Sequence, residues 1–118
     1  MIYVSTSTIP QRIKNLDRSI KSLLNQSKKP DKIFINIPFK YRRFNETIKD
    51  DEIPKFDSSV VEIIRCEDCG PATKLLGSLD KLEKNSLVIL FDDDHVYENY
   101  MVEKFSYFYS KAPNNAYS

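Results

Sequence analysis

Apolar and polar positions along this chain follow two rhythms. Short runs rich in Ile, Val and Phe cover residues 1–5, 32–37, 60–64 and 87–91, and such runs predict strands. Between them, apolar residues recur at spacings of three and four. Ile9, Ile13, Leu16, Ile20, Leu23 and Leu24 predict one face of a helix that begins near Pro10 and ends near Asn25. Leu75, Leu76, Leu79 and Leu82 give a second helical stripe, and Tyr97, Met101, Phe105 and Phe108 a third, over 97–109. Lys28-Lys29-Pro30-Asp31 reads as a turn, and Pro113-Asn114-Asn115 as a helix break. Residues 39–58 keep no period and form a long connection, with one helical turn expected near Asn45–Lys49.

The resulting order is strand, helix, strand, loop, strand, helix, strand, helix. Alternation of this kind predicts an α/β chain, a Rossmann-like, mostly parallel sheet flanked by helices on both faces. Leu87-Val88-Ile89-Leu90-Phe91 is apolar throughout, the pattern of a strand buried on both faces.

Three segments at strand ends carry candidate chemistry. Asp92-Asp93-Asp94 follows the fourth strand directly, with His95 next. Carboxylates about 6 Å apart repel by about 1–3 kcal/mol at a protein surface, so a divalent cation or a phosphate-bound metal would relieve them. An acidic loop or a helix N-cap is the plainer alternative. The hydroxyl-rich turn Thr6-Ser7-Thr8-Ile9-Pro10 leads into a helix and could hold an anion or a sugar hydroxyl, or simply cap the helix. Gly70-Pro71 opens another helix, with Lys74 on its first turn, near Asp68. The spacing is not that of a P-loop. In a parallel sheet all three segments lie along one edge, where such sheets bind ligands.

At 118 residues, 41% hydrophobic and 30% charged, the chain has the composition of one soluble globular domain. Its net charge of +1 gives no basic field, so nucleic acid is not expected as a partner; Arg42-Arg43 beside Tyr41 and Phe44 fits a loop or a diphosphate contact better. No apolar run reaches membrane-span length and no signal peptide is seen, so the expectation is cytoplasmic. Cys66 and Cys69 form a C-x-x-C that lacks the further ligands of a structural zinc site, and reduced thiols are expected.

Five blocks then stand in one order: Ser5–Ile13, Asn25–Ile33, Asn36–Pro38, Asp68–Lys74 and Asp92–His95. Together they resemble the nucleotide-binding half of GT-A-fold glycosyltransferases, most closely small family-two-like enzymes with a T-S-I-P-x-R opening and a D-Y-G-P-A-T-K block. The resemblance implies a nucleotide diphosphate-sugar donor, often a UDP-sugar, and Mn2+ or Mg2+. It gives Asp94 to the metal bridging the diphosphate, Asp92 to the ribose or the metal, and Asp93 to the donor sugar. Ser5, Thr6, Ser7 and Arg12 would line the nucleoside and phosphates, Asp68 the base or ribose, and Lys74 the donor. Cys69 replaces an aromatic of the family block. Pro38-Phe39-Lys40-Tyr41 stands where the family has an acid, which leaves Tyr41 or Arg42 to meet the base.

The same resemblance leads us to expect that the acceptor-binding half and the catalytic base lie outside this chain. No catalytic residue is assigned within it, and His95 is a poor candidate for the base. Activity would need a missing half or a complementing chain, and an uncovered sheet edge would favour a homodimer. A nucleotide-sugar-binding module or a degenerate remnant without transferase activity is the alternative. A receiver-like domain is disfavoured, because Ser and Thr stand where receivers carry an acidic pair.

Overall fold

The structure is a computed structural model and describes residues 2–42, 47–56, 59–83, 86–94 and 96–111. Four strands form: β1 (Ile2–Ser7), β2 (Lys32–Pro38), β3 (Val61–Cys66) and β4 (Leu87–Leu90). They make one sheet in the order β3-β2-β1-β4, every pair parallel. Three helices flank it: α1 (Leu16–Leu24), α2 (Thr73–Leu76) and α3 (Met101–Lys111). The fold is a small α/β, Rossmann-like one. The chain steps outward from β1 to β3, then crosses back to lay β4 on the other side of β1. That reversal opens a crevice between the carboxyl ends of β1 and β4, the place where open parallel sheets take ligands.

Strand alternation sorts the residues into two unlike faces. On one face, Val4, Ile33, Ile35, Ile37, Leu87 and Ile89 pack with Ile13, Leu16, Ile20 and Leu23 from α1 and the turn before it, and with Val102 of α3. On the other face stand Tyr3, Phe34, Ser5 and Asn36. Tyr3 and Phe34 stack at 5.6 Å. Ser5 and Asn36 hydrogen-bond to the α2 segment: the Ser5 hydroxyl donates to the Lys74 carbonyl, and Asn36 Nδ2 donates to the Thr73 carbonyl at 3.0 Å. Gly77 sits against this pair so closely that a Cβ there would lie 2.7 Å from the Asn36 side chain.

Some expected elements take another form. The Leu75–Leu82 stripe is not one helix. It is a single turn of helix, α2, followed by a turn at Gly77-Ser78 and a separate 3-10 turn, Leu79–Lys81, and Leu76 and Leu79 are exposed. Gly77 and Ser78 break the period because the chain must stay tight against Asn36. The third helix starts at Met101, not at residue 97, and Phe108 is exposed while Val102 is buried. The first helix starts at Leu16 after a 3-10 turn, Ile13–Asn15. β4 is not buried on both faces: Val88 and Leu90 are half-buried, and among the described residues the strand pairs only with β1. Asn45 and Glu46 of the expected turn, and Pro113-Asn114-Asn115, lie outside the described residues.

Candidate functional site

A cleft of about 500 Å³ opens at the carboxyl edge of the sheet. Each strand end contributes to it. Ser7 ends β1 and Thr8 and Arg12 follow it, Pro38 ends β2 and Tyr41 follows it, Asp68, Gly70, Thr73 and Lys74 follow β3, and Phe91, Asp92 and Asp93 follow β4. The three segments singled out from the sequence therefore converge on one cavity.

The three consecutive aspartates are not equivalent. Asp92 is 62% exposed, with Lys74 Nζ 3.5 Å from its carboxylate. Asp93 is buried, only 3% exposed. Its Oδ2 accepts hydrogen bonds from the Thr8 hydroxyl at 2.6 Å and from Arg12 Nε at 3.1 Å, and its carbonyl accepts one from Ser19 at 2.8 Å. Asp94 is exposed and is not among the residues that line the cleft. A run of like charges is tolerated here because the middle one is neutralised inside the protein and its neighbours reach solvent. His95 lies outside the described residues.

The hydroxyl turn also divides. Ser5 and Thr6 are buried within β1, which runs two residues further than its apolar content suggests. Ser5 serves the α2 segment, and the Thr6 hydroxyl donates to the Phe91 carbonyl at 2.6 Å. Neither lines the cleft, so any contact with a ligand falls to Ser7 and Thr8. Arg12 does line it, with a half-exposed side chain.

On the β3 side, Asp68 accepts from the Gly70 and Arg42 backbone N–H groups, both at 2.8 Å. Gly70 takes φ +63 in this turn, a left-handed conformation that glycine adopts without strain. The turn presents Lys74 across the cleft from β4. Tyr41 closes the floor, its hydroxyl donating to the Thr8 carbonyl at 2.8 Å, and burial pushes its phenol well above the usual range. Cys66 and Cys69 are free thiols, Cys66 half-buried with its pKa raised by burial. Arg43 and Phe44 of the basic-aromatic patch lie outside the described residues.

Two residues shape the site in ways the sequence did not indicate. Thr8 fixes Asp93. Tyr97, expected inside a helix, instead folds under the β4 end: its ring lies 4.3 Å from that of Phe91. Its hydroxyl accepts from the Asp92 N–H at 2.8 Å and donates to the Asp92 carbonyl at 3.1 Å. Burial raises the Tyr97 pKa to about 12. An aromatic five residues beyond an acid was the available signal, hidden by its agreement with the helical period.

Among the described residues no three His, Cys, Asp or Glu side chains converge on a point. Asp92 and Asp94 are exposed carboxylates at the β4 end. Of the two only Asp92 lines the cleft, and a single carboxylate completed by water and phosphate oxygens is within what Mg2+ ordinarily accepts. Among the described residues no helix is long and apolar enough to cross a membrane. No family model matches the chain, and no curated protein sequence matches it.

Proposed function

We propose that this chain is the donor-binding domain of a metal-dependent glycosyltransferase, taking a nucleotide diphosphate-sugar, most simply a UDP-sugar. The observation that carries the reading is the cleft at the β1/β4 crossing point. There, acidic and basic side chains from separate strand ends face one cavity of about 500 Å³, a volume suited to a small-molecule ligand. The five sequence blocks that resemble GT-A enzymes supply the more specific assignment. Asp92 and Asp94 would hold Mn2+ or Mg2+, and Lys74 and Arg12 would meet the phosphates. Asp68 and Tyr41 flank the side left for the nucleoside. The bound metal would neutralise charge building on the departing diphosphate.

A second reading, binding without transfer, draws support from the state of the cleft acids. Asp93 is buried and ion-paired, Asp92 has Lys74 beside it, and Asp68 accepts two backbone N–H groups. General-base catalysis requires an acceptor free to take a proton from the attacking hydroxyl. An acceptor site supplied by a second copy or a complementing chain would reconcile the readings, and the edge of β4 that no other described strand pairs offers a place for it. A cytoplasmic setting, in keeping with the free thiols, belongs to the same proposal.

Titration calorimetry of UDP with and without Mn2+ is the test, on the wild type and on Asp92→Ala and Asp94→Ala. Manganese-dependent binding that either substitution weakens by ten-fold or more is the expected result. UDP binding indifferent to both the metal and the substitutions would overturn the metal assignment, and absence of nucleotide binding the whole reading. Donor hydrolysis or transfer separates an enzyme from a binding module.

A further inference from the structure

The middle aspartate of the acidic run lines the cleft yet is almost wholly buried, while its partner Arg12 is exposed. Asp93 is 3% exposed. The Thr8 hydroxyl grips its Oδ2 at 2.6 Å, and Thr8 is itself fixed through its carbonyl by the buried Tyr41. That oxygen also receives Arg12 Nε at 3.1 Å, while the Arg12 side chain is 44% exposed and lines the cleft. No hydrogen bond from either terminal guanidinium nitrogen of Arg12 reaches another described residue.

An arginine held by Nε keeps its two terminal nitrogens as a fixed, planar pair of donors. Planar pairs of this kind match two oxygens of a phosphate or carboxylate, which lysine, a point charge on a flexible stem, does not. We infer that Asp93 is a positioning residue: anchored by Thr8, it aims the Arg12 guanidinium into the cleft as a bidentate anchor for a diphosphate. The inference rests on the proposed nucleotide-diphosphate reading and changes one part of it, moving Asp93 from the donor sugar to the orientation of Arg12.

The sign of one substitution separates positioning from simple electrostatics. Removing a carboxylate beside an anion site relieves repulsion, so on charge alone Asp93→Asn tightens anion binding. Positioning predicts the opposite, because an unheld guanidinium must be ordered by the ligand. Calorimetry would use UDP with Mn2+, and inorganic pyrophosphate as a base-free probe. We expect Asp93→Asn to weaken both by about ten-fold, the loss of one charge-assisted contact. Arg12→Lys, an exposed change that keeps the charge and spares the core, should lose about as much. In an Arg12→Ala background, Asp93→Asn should cost nothing further. Thermal melts would establish that each variant is folded.

Equal or tighter binding by Asp93→Asn would overturn the inference, as would wild-type affinity in Arg12→Lys. A loss from Asp93→Asn that persists without Arg12 would also overturn it. Pyrophosphate binding with the expected pattern but no preference for UDP would support the anchor and overturn the nucleotide reading. Binding of neither probe would overturn both.

Discussion

The two faces of the sheet are built on different principles. Beneath α1 and α3 the strand side chains are mostly aliphatic: Ile33, Ile35, Ile37 and Ile89 are fully buried in one cluster. Beneath α2 the same strands present Ser5 and Asn36, which meet Thr73, Lys74 and Ser78 through hydrogen bonds. Aliphatic burial is strong and non-directional, so the first face can hold the sheet together without fixing any atom closely. Hydrogen bonds contribute less net stability but demand a particular distance and angle. The second face thus fixes where the turn carrying Lys74 stands relative to β1. One face supplies stability and the other supplies position.

Substitutions on the two faces should separate these roles. The largest effect is expected from Ile35→Ala, which removes a fully buried side chain and should destabilise the fold by about 2–5 kcal/mol in chemical denaturation. A loss under about 1 kcal/mol would mean that the aliphatic face is not the main stabilising layer. Gly77→Ala comes next. Its Cβ would lie 2.7 Å from Asn36 and 3.0 Å from Cys66 Sγ, and overpacking of this kind costs about 1–3 kcal/mol. Its distinguishing consequence is displacement of the Lys74 turn, so nucleotide affinity should fall by more than its melting temperature suggests. Wild-type affinity in this variant would contradict the positional role of that face.

Tyr97→Phe sharpens the comparison at the end of β4. Burial disfavours the phenolate in the fold, raising the pKa from 10.0 to about 12. A raised acid pKa contributes stability that is complete below the unfolded value and lost as pH rises through the folded one. Wild-type stability should therefore fall between about pH 10 and pH 12, and the Phe variant should fall less steeply there. Parallel pH profiles would show that another group governs the alkaline limb, with Tyr41 the next to test. The smallest effect is expected from Lys74→Met. Its pair with Asp92 is 3.5 Å long and largely solvated, so stability should change by less than about 1 kcal/mol. Nucleotide affinity should nonetheless drop, and a variant unaltered in both respects would remove Lys74 from the site.

Much of the aliphatic face could be read from the chain. Ile20 and Leu23 declare a helix stripe and Ile33, Ile35 and Ile37 a strand face, because burial imposes a period on apolar residues. Convergence of the strand ends followed from the alternation of elements. The polar face was less legible. Leu75, Leu76, Leu79 and Leu82 satisfy a helical period, yet Gly77 and Ser78 obey a close contact with Asn36, 41 residues earlier, that no local pattern records. At the site, Ser5 and Thr6 look as available as Ser7 until the end of β1 is known. Asp92 and Asp93 are the same residue in sequence. Only the depth of Thr8 and Ser19 makes one of them internal and leaves the other in water.

The place of β1 in the middle of the sheet has a consequence for the time at which the cleft comes into being. Its partner β4 is far along the chain, and the bond from Thr6 to the Phe91 carbonyl spans 85 residues. Closing so long a loop is entropically costly and comes late in folding. On a ribosome, β1, α1 and β2 emerge while one wall of the cleft is still unsynthesised. Pulse-labelled hydrogen exchange should therefore find the Val4 amide protected early and the Asp92 amide, held by Tyr97, among the last. A ligand that needs both walls meets only chains that have folded through residue 93.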